Sequence, residues 1–453
     1  MQSGPRLFVI FAVWLGWSAL QADDLKFHLE EPADDVRVFG VGLRVTVNGK
    51  LQVGVGDAKV TPLPLNVSAA LSYRERRLVG VGQDAEGLRA AREYAVTEAD
   101  IEVKDEKTHL KLPEPLKLMV AQGRIEGIEL FSLTGPLTNN ELDLLRSPCD
   151  TLALPQLLPG KAVAIGESWK PAAWVAQLLA GIEAATKSEL SCELESVKQK
   201  IAVVRFAGSV EGATVGAPTK VSLKGTVDYD LDTKSITAAD ITQTEQRSIG
   251  AVSPGLDVTA NVRLLRKPAV DPGRLGDKKT IDLATSEPEA AAKFLRFDSP
   301  WNLSLLHSRS WHMFHQTDKV VIFRLLDQGA LIAQCNLAAI PNVAAGSHTS
   351  EEEFLTDIRG ALGENLKAIT TTRVLPAKDG RYVLQVIATG AVKERAMTWI
   401  YYLVADPSGR QASLQFSLDS SLLDALADRD RELIESLRFV PNPAAQSPTP
   451  RKQ

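Results

Sequence analysis

Residues 397–418, MTWIYYLVADPSGRQASLQFSL, decide the fold of the C-terminal part of the chain. The first arm, Met397–Ala405, is apolar or aromatic at almost every position, which is typical of a central strand covered on both faces. Alternate positions of the second arm are apolar and share one face of a half-buried strand: Ala412, Leu414, Phe416 and Leu418. Asp406-Pro407-Ser408-Gly409 has the residue types of a tight turn. The stretch therefore predicts an antiparallel hairpin in the core of a domain.

The composition is that of a globular protein with a small acidic excess. The chain has 453 residues, of which 44% are hydrophobic and 24% are charged, and its net charge is −5. This length is too great for one ordinary core and predicts two domains. The mild acidity offers no electrostatic attraction to nucleic acid or anionic lipid, so neither is expected as a partner.

The N-terminus predicts export. Arg6 precedes the apolar run Leu7–Leu20, and Ala22 comes directly before an acidic stretch that begins at Asp23. This order is typical of a secretory signal peptide over residues 1–22, with a mature protein that begins at Asp23 and is periplasmic or secreted. A membrane anchor is the alternative, although the run is shorter than the roughly 20 apolar residues that span a bilayer. No later stretch predicts a membrane span.

Strand patterns and Pro- and Gly-rich stretches divide the rest of the chain. We expect a β-rich domain over 23–268, a linker over 269–294, a second domain over 295–440 and a disordered tail over 441–453.

The first of these domains carries many strand-like segments at intervals of roughly ten residues, which favours an antiparallel sandwich or a curled half-barrel. Residues 36–55 predict a hairpin with Asn48-Gly49 as a type I′ turn. Thr138 and Glu141 have the spacing of a capping box at the start of a helix.

The second domain combines strands with two amphipathic helices. Ser350 and Glu353 predict a helix start, and the apolar positions that follow keep helical spacing: Phe354, Ile358, Leu362 and Leu366. The domain contains, in this order, Trp301-Asn302-Leu303-Ser304, Ser310-Trp311, a helix at 351–366, a sheet at 370–418 and a final helix ending at Phe439. This order resembles the PsbP-like α/β/α sandwich. That resemblance implies an antiparallel sheet between helices in an exported accessory protein.

Residues 36–266 are similar to an uncharacterised family of exported bacterial proteins. The similarity lies in Gly135–Leu145, Leu157–Gly160 and Gly166–Trp169. Neither resemblance implies catalytic residues. The fold class predicted for the whole chain is α+β, with an antiparallel β-rich domain followed by an α/β/α sandwich.

Three of the six histidines fall within nine residues: His307, His312 and His315. Imidazole is a common transition-metal ligand, so this cluster is a hypothetical site for a metal-dependent enzyme. In a strand, however, His312 and His315 would point to opposite faces. A helix would place them on one face, but the neighbouring Trp311 and Phe314 favour a strand. No metal ligand is therefore assigned.

Other motifs for chemistry are weak. Cys149 and Cys192 are the candidate disulfide pair for an oxidising compartment, and Cys335 is expected to be a buried thiol. There is no Gly-x-Ser-x-Gly elbow, and Gly80–Gly87 lacks the Lys-Ser/Thr of a phosphate loop. No catalytic residue and no cofactor are assigned.

These observations favour an exported, non-catalytic envelope protein that binds or scaffolds an unknown envelope partner. One alternative is a carrier that holds a lipid or another apolar ligand in the N-terminal β-domain. The other alternative is the metal-dependent enzyme centred on the three histidines.

Overall fold

The structure, a computed structural model, describes residues 25–54, 60–80, 84–377 and 379–441. The predicted signal peptide lies outside these residues, as does the predicted tail apart from residue 441. The chain is 55% strand and 18% helix, and its strands form several antiparallel sheets. Within the described ranges no helix has both the length and the apolar character that a membrane crossing requires.

The N-terminal part is built on one large antiparallel sheet and a small strand pair. The pair consists of β1 (Lys26–His28) and β8 (Ala162–Ala164). The large sheet has twelve strands: β2 (Val38–Val53), β3 (Thr61–Val79), β4 (Leu88–Val103), β5 (Glu106–Lys111), β6 (Leu118–Arg124), β7 (Gly127–Ser132), β9 (Ser168–Trp169), β10 (Ala184–Lys198), β11 (Ile201–Thr214), β12 (Ala217–Asp230), β13 (Ser235–Arg247) and β14 (Gly255–Pro268). Their order is β7-β6-β4-β3-β2-β14-β13-β12-β11-β10-β9, with β5 paired to β4.

One face of this sheet, called here the inner face, packs against the helices α1 (Asn139–Leu145) and α2 (Ala173–Ala180). The predicted capping box of Thr138 and Glu141 is confirmed at the start of α1. α2 contacts β7 near one edge of the sheet and β10 near the other. Eleven strands laid flat would span roughly 50 Å. Since α2 has only eight residues, the sheet must curve around it.

The turn predicted at Asn48-Gly49 is wrong. β2 runs straight through both residues and is paired along its length with β3 and β14. Gly49 has a φ of +156°, and a Cβ there would lie 2.2 Å from the Asp257 carbonyl oxygen. The glycine therefore permits the close approach of β14 rather than a change of chain direction.

The segment predicted as a linker, 269–294, is packed against the outer face of the sheet. It contains α3 (Lys278–Thr285), and its Leu275 and Ala284 are fully buried. The guanidinium of Arg89 donates hydrogen bonds to the carbonyl oxygens of Ala284 and Ser286. Arg74 and Arg76 also donate hydrogen bonds to the segment, to Asp271 and to the Leu275 carbonyl oxygen. A few apolar anchors and three arginines of the sheet therefore hold this polar segment in place. The domain boundaries themselves remain a prediction.

The C-terminal part has a seven-stranded and a three-stranded antiparallel sheet. The larger sheet consists of β17 (Trp311–Gln316), β18 (Val320–Asp327), β19 (Ala330–Ile340), β20 (Leu366–Leu375), β21 (Tyr382–Val392), β22 (Arg395–Ala405) and β23 (Gln411–Asp419), in the order β17-β18-β19-β23-β22-β21-β20. The smaller sheet consists of β15 (Leu295–Asp298), β16 (Leu303–His307) and β24 (Arg438–Phe439). The helices are α4 (Glu351–Leu362), α5 (Leu423–Leu426) and α6 (Arg429–Ser436).

The hairpin predicted over 397–418 is confirmed as β22 and β23. β22 lies between β21 and β23, and every residue from 398 to 405 is buried. The alternate apolar residues of β23 are also buried. The run of apolar and aromatic residues therefore marks a strand covered on both faces.

The predicted α+β class with an α/β/α sandwich is wrong. One face of the seven-stranded sheet packs against α4 alone. The opposite face is covered by the three-stranded sheet together with the short helices α5 and α6. The predicted helix at 351–366 ends at Leu362, and Leu366 already belongs to β20. In the N-terminal part, helices, loops and the small β1–β8 pair, rather than a second large sheet, cover the inner face. The chain is therefore mostly antiparallel β.

A buried acid in the C-terminal core makes stability depend on pH. Asp430 is 4% exposed, forms no ion pair within the described residues, and accepts a hydrogen bond from Tyr402 Oη at 2.6 Å. Burial raises the pKa of Asp430. A raised folded-state pKa means that the charged form weakens the fold. This penalty is absent below the unfolded pKa and grows as the pH rises through the folded pKa.

Asp430→Asn is expected to raise the unfolding temperature at pH 7.5 by about 2–4 °C, the shift that about 1 kcal/mol gives in a domain of this size. The amide keeps an acceptor for Tyr402 and removes the charge. The gain should shrink as thermal melts are repeated down to pH 4.5. Asp428→Asn is the control, because that side chain is 88% exposed. An Asp430→Asn variant that is less stable than the parent at pH 7.5 would contradict the interpretation.

Candidate functional site

His307 is a core residue. Its side chain is fully buried at the end of β16, and its ring centroid lies 5.4 Å from that of Phe323. Nδ1 lies 2.9 Å from the carbonyl oxygen of Ser308. Burial lowers the pKa of His307, so the neutral imidazole is favoured.

The other two histidines of the predicted cluster lie on β17 and do not converge with it. His312 is half-buried, and burial, together with the neighbouring His307 and Arg146, lowers its pKa to about 4. His315 is exposed and follows a bulge in the pairing of β17 with β18. Across the described residues, no group of three or more His, Cys, Asp or Glu side chains is arranged to hold a metal ion. The structure does not assemble the predicted histidine site.

A serine, a histidine and a glutamate do meet at this position, but not in a catalytic order. The Ser308 amide donates to Glu432 Oε1, while Ser308 Oγ and His307 Nε2 are buried and have no hydrogen-bond partner among the described residues. Neighbouring residues of an extended chain point to opposite sides. No hydrogen bond joins the imidazole of His307 to the hydroxyl of Ser308, so the pair lacks the contact through which a base activates a nucleophile.

The three cysteines are free and buried. The candidate pair of Cys149 and Cys192 is therefore not a disulfide in this structure. Burial raises the pKa of each of these two thiols to about 12. Such thiols remain protonated at neutral pH and are poor nucleophiles.

The inner face of the N-terminal sheet holds a buried ionic network. Arg92 and Glu75 are each 1% exposed. The Arg92 guanidinium donates to Glu75 Oε2 at 2.8 Å and to Asp150 Oδ2 at 2.8 Å. Thr151 Oγ1 donates to Glu75 at 2.6 Å and lies 3.0 Å from Tyr73 Oη. One arginine thus serves two carboxylates, and this half of the network carries a net charge of −1.

The other half of the network has the opposite net charge. Glu31 Oε1 lies 2.7 Å from Arg266 Nη1, and Glu31 Oε2 lies 2.7 Å from Arg77 Nη2. The Arg266 guanidinium also stacks on Phe39, 3.7 Å from the ring centroid. Two arginines share one carboxylate, so this half carries +1 and the complete network is neutral. Balanced pairing of this kind makes it tolerable to bury the charges.

Beyond α1 and α2 the inner face continues as an apolar surface that is only half-buried. Eight apolar side chains on the adjacent strands β4, β3, β2 and β14 form this surface, called here the apolar recess: Val47, Leu51, Leu63, Leu65, Val67, Ile101, Val103 and Leu256. Intervening residues such as Asn48, Asn66 and Asp257 point to the outer face and are exposed. The apolar side chains therefore extend the core beyond the helices that cover it.

A polar border lies on β13, next to the recess. Arg247 is paired in register with Leu256, and its Nε lies 3.4 Å from Glu245 Oε1. Both side chains are less than one-fifth exposed. Burial raises the pKa of Glu245, and Arg247 opposes that rise. The recess thus has apolar walls and one charged edge, an arrangement suited to a molecule with an apolar body.

Sequence reasoning missed both the network and the recess, although a signal for each is present. Tyr73, Glu75 and Arg77 continue the period-two pattern of Leu71, which places charged residues at positions that should face the core. Charged residues at such positions indicate a buried network. The apolar alternation of Leu63, Leu65 and Val67 is also visible, but the pattern does not reveal that the helices leave it uncovered.

Comparisons with known proteins assign no family. No family model and no curated protein matches the chain. Lipovitellin matches 52% of this chain and 26% of its own length, at 10% identity and a TM-score of 0.29. PsbP (CyanoP) from Synechocystis sp. PCC 6803 matches 32% of this chain and 92% of its own, at 10% identity and a TM-score of 0.26.

A protein from Bacteroides thetaiotaomicron VPI-5482 matches 34% of this chain and 50% of its own length, at 16% identity and a TM-score of 0.24. The chain therefore spans half the length of that protein. All three TM-scores are too low to establish a shared fold. The PsbP-like resemblance of the C-terminal part is only loosely supported.

Proposed function

We propose that this chain is an exported, non-catalytic binding protein that holds an apolar ligand, such as a lipid acyl chain, in the apolar recess. The observation that carries the proposal is the row of eight half-buried apolar side chains on one face of four adjacent strands. Export rests on the order of Arg6, the apolar run and Ala22 in the sequence.

A narrow ligand suits this surface better than a folded partner. The side chains of the recess are half-buried, whereas surface residues such as Val79 and Leu265 are 79% and 71% exposed. Ten methylenes removed from water contribute roughly 8 kcal/mol before the cost of ordering the chain. This gross free energy corresponds to a Kd of about 1 μM, and the cost of ordering the chain raises the expected Kd to tens of micromolar or more.

The test is a titration of the exported protein with a fluorescent fatty acid, 11-(dansylamino)undecanoic acid. We expect saturable binding with a Kd of tens of micromolar or more. Leu51→Ser combined with Leu65→Ser should weaken binding about tenfold or more, because two apolar contacts are lost at the centre of the recess. Leu265→Ser is the matched control, since this leucine lies on the outer face of β14.

Equal binding by the parent, the double variant and the control would place the probe elsewhere and overturn the proposal. The absence of saturable binding by the parent would do the same. Capture of a protein that competes with the fatty acid would instead favour a role in binding an envelope partner.

A further inference from the structure

A cavity lies at the opposite end of β3 from the apolar recess. Its volume is about 240 Å³, and it is enclosed between the segment Glu30–Ala33, the adjoining ends of β3 and β4, and the loop 152–160. Leu65 of the recess and Arg77 of this cavity are twelve residues apart along β3, which is roughly 40 Å of extended chain. The cavity is therefore separate from the proposed ligand site.

Two arginines line this cavity, called here the Arg77 pocket. The guanidinium of Arg89 donates its hydrogen bonds to Gln122, Ala284 and Ser286, so Arg77 is the cation available to a ligand. Its side chain is 11% exposed, and its guanidinium makes no hydrogen bond to any described residue. Its contact with Glu31, 2.7 Å from Nη2 to Oε2, is an ion pair without hydrogen-bond alignment. A buried guanidinium with unused donors is costly unless another acceptor reaches it.

The half of the buried network beside this pocket sets Arg77 and Arg266 against one carboxylate, Glu31. Asp35 also interacts electrostatically with Arg77, but its carboxylate is paired with Arg37. Glu31 also accepts hydrogen bonds from the Ile236 amide and from Arg266, so its charge is shared. The compensating negative charge lies around Arg92. Glu75, one of the two carboxylates paired with Arg92, is two residues from Arg77 along β3.

The remaining walls fit a small polar ligand. Gln156 lines the pocket, is half-buried and has no hydrogen bond from its amide group within the described residues, while Leu152 and Pro155 close the floor. Glu30 also lines the pocket, but its side chain is 54% exposed and its carboxylate is 2.9 Å from His28 Nε2. Repulsion by this carboxylate is weakened by solvent.

We propose that the Arg77 pocket binds a small oxyanion, a carboxylate or phosphate group, through the Arg77 guanidinium with the Gln156 amide as a second donor. A planar guanidinium offers paired N–H groups that match the oxygens of such anions. This site is independent of the apolar recess and of any ligand there.

The test measures the unfolding temperature of the full exported protein in sodium phosphate or sodium acetate against sodium chloride at matched ionic strength. At an anion concentration ten times Kd, we expect a saturable rise of about 2–5 °C. Arg77→Gln should abolish the rise. Gln156→Leu should weaken binding several-fold and serves as the second variant, because it leaves the ionic network intact. Arg263→Gln, whose side chain is 80% exposed on the outer face, should retain the full rise.

A rise with phosphate alone would identify a phosphate group as the ligand, and a rise with acetate alone would identify a carboxylate. No saturable rise with either anion overturns the proposal, as does a rise that Gln156→Leu and Arg77→Gln both leave unchanged. Fatty-acid binding by the recess should be unaffected by Gln156→Leu, so failure of one site is distinguishable from failure of the other.

Discussion

Trp399→Asp is expected to unfold the C-terminal part of the chain and to leave the N-terminal sheet folded. Trp399 is 5% exposed and packs in a core with Phe354 and Ile358 of α4. Burying an unpaired carboxylate costs several kcal/mol, and loss of the indole packing adds roughly 3–5 kcal/mol. The sum of these two costs is comparable to the roughly 5–15 kcal/mol of unfolding free energy that keeps a typical domain folded.

Calorimetry of the full-length protein measures this effect as the loss of one unfolding transition. The core of the N-terminal sheet contains no described residue beyond Leu295, so its transition should persist. Val374→Asp is the control, since Val374 is 56% exposed on the edge strand β20. A Trp399→Asp protein that melts like the parent would mean that this strand is a surface rather than a core element.

Arg92→Met is expected to destabilise the N-terminal part by about 3–5 kcal/mol. The substitution leaves Glu75 and Asp150 as two buried carboxylates without their shared cation, and removing one partner of a buried ion pair has this order of cost. Chemical denaturation with urea measures the change in unfolding free energy. Arg263→Met is the matched control, because an exposed pair such as that of Arg263 with Asp240 contributes about 0–1 kcal/mol.

Adding Glu75→Gln and Asp150→Asn to Arg92→Met should recover part of the lost stability, since the buried charges are then absent. A loss below about 1 kcal/mol for Arg92→Met alone would contradict the assignment of the network as a buried, mutually paired unit.

The sequence correctly predicted those elements that depend on interactions between residues close together in the chain. The hairpin of β22 and β23 was readable because a doubly covered strand has no polar face and a half-covered one alternates. The capping box at Thr138 was readable because its two hydrogen bonds join residues only three positions apart. Both features depend on neighbours along the chain.

The errors share a long-range cause. Asn48-Gly49 has the composition of a turn, but pairing with β14, more than 200 residues away, makes it a strand. The predicted linker 269–294 is not one of these errors, because its boundaries remain a prediction, but its packing also depends on distant residues, Arg74, Arg76 and Arg89. The fold class failed because the number of helices covering each face is set by packing between distant segments, which no local period reveals.

The candidate site was predictable only in part. The apolar alternation of Leu63, Leu65 and Val67 is a local signal that sequence reasoning did not use. The carrier alternative rested instead on the curled sheet expected for the N-terminal β-domain. Which half of the inner face is uncovered depends on where α1 and α2 pack. Conversely, the three histidines are close together in the sequence, but the fold places His307 in the core at the end of β16 and the other two on β17.

Native mass spectrometry of the protein purified from its own host tests whether the apolar recess holds a ligand. We expect a bound species with the mass of a lipid or another apolar molecule, which is lost or strongly reduced in the Leu51→Ser, Leu65→Ser variant and retained in Leu265→Ser. A protein that carries no such species, or one whose bound molecule is equally retained by the double variant, would contradict the assignment of the apolar recess as the ligand site.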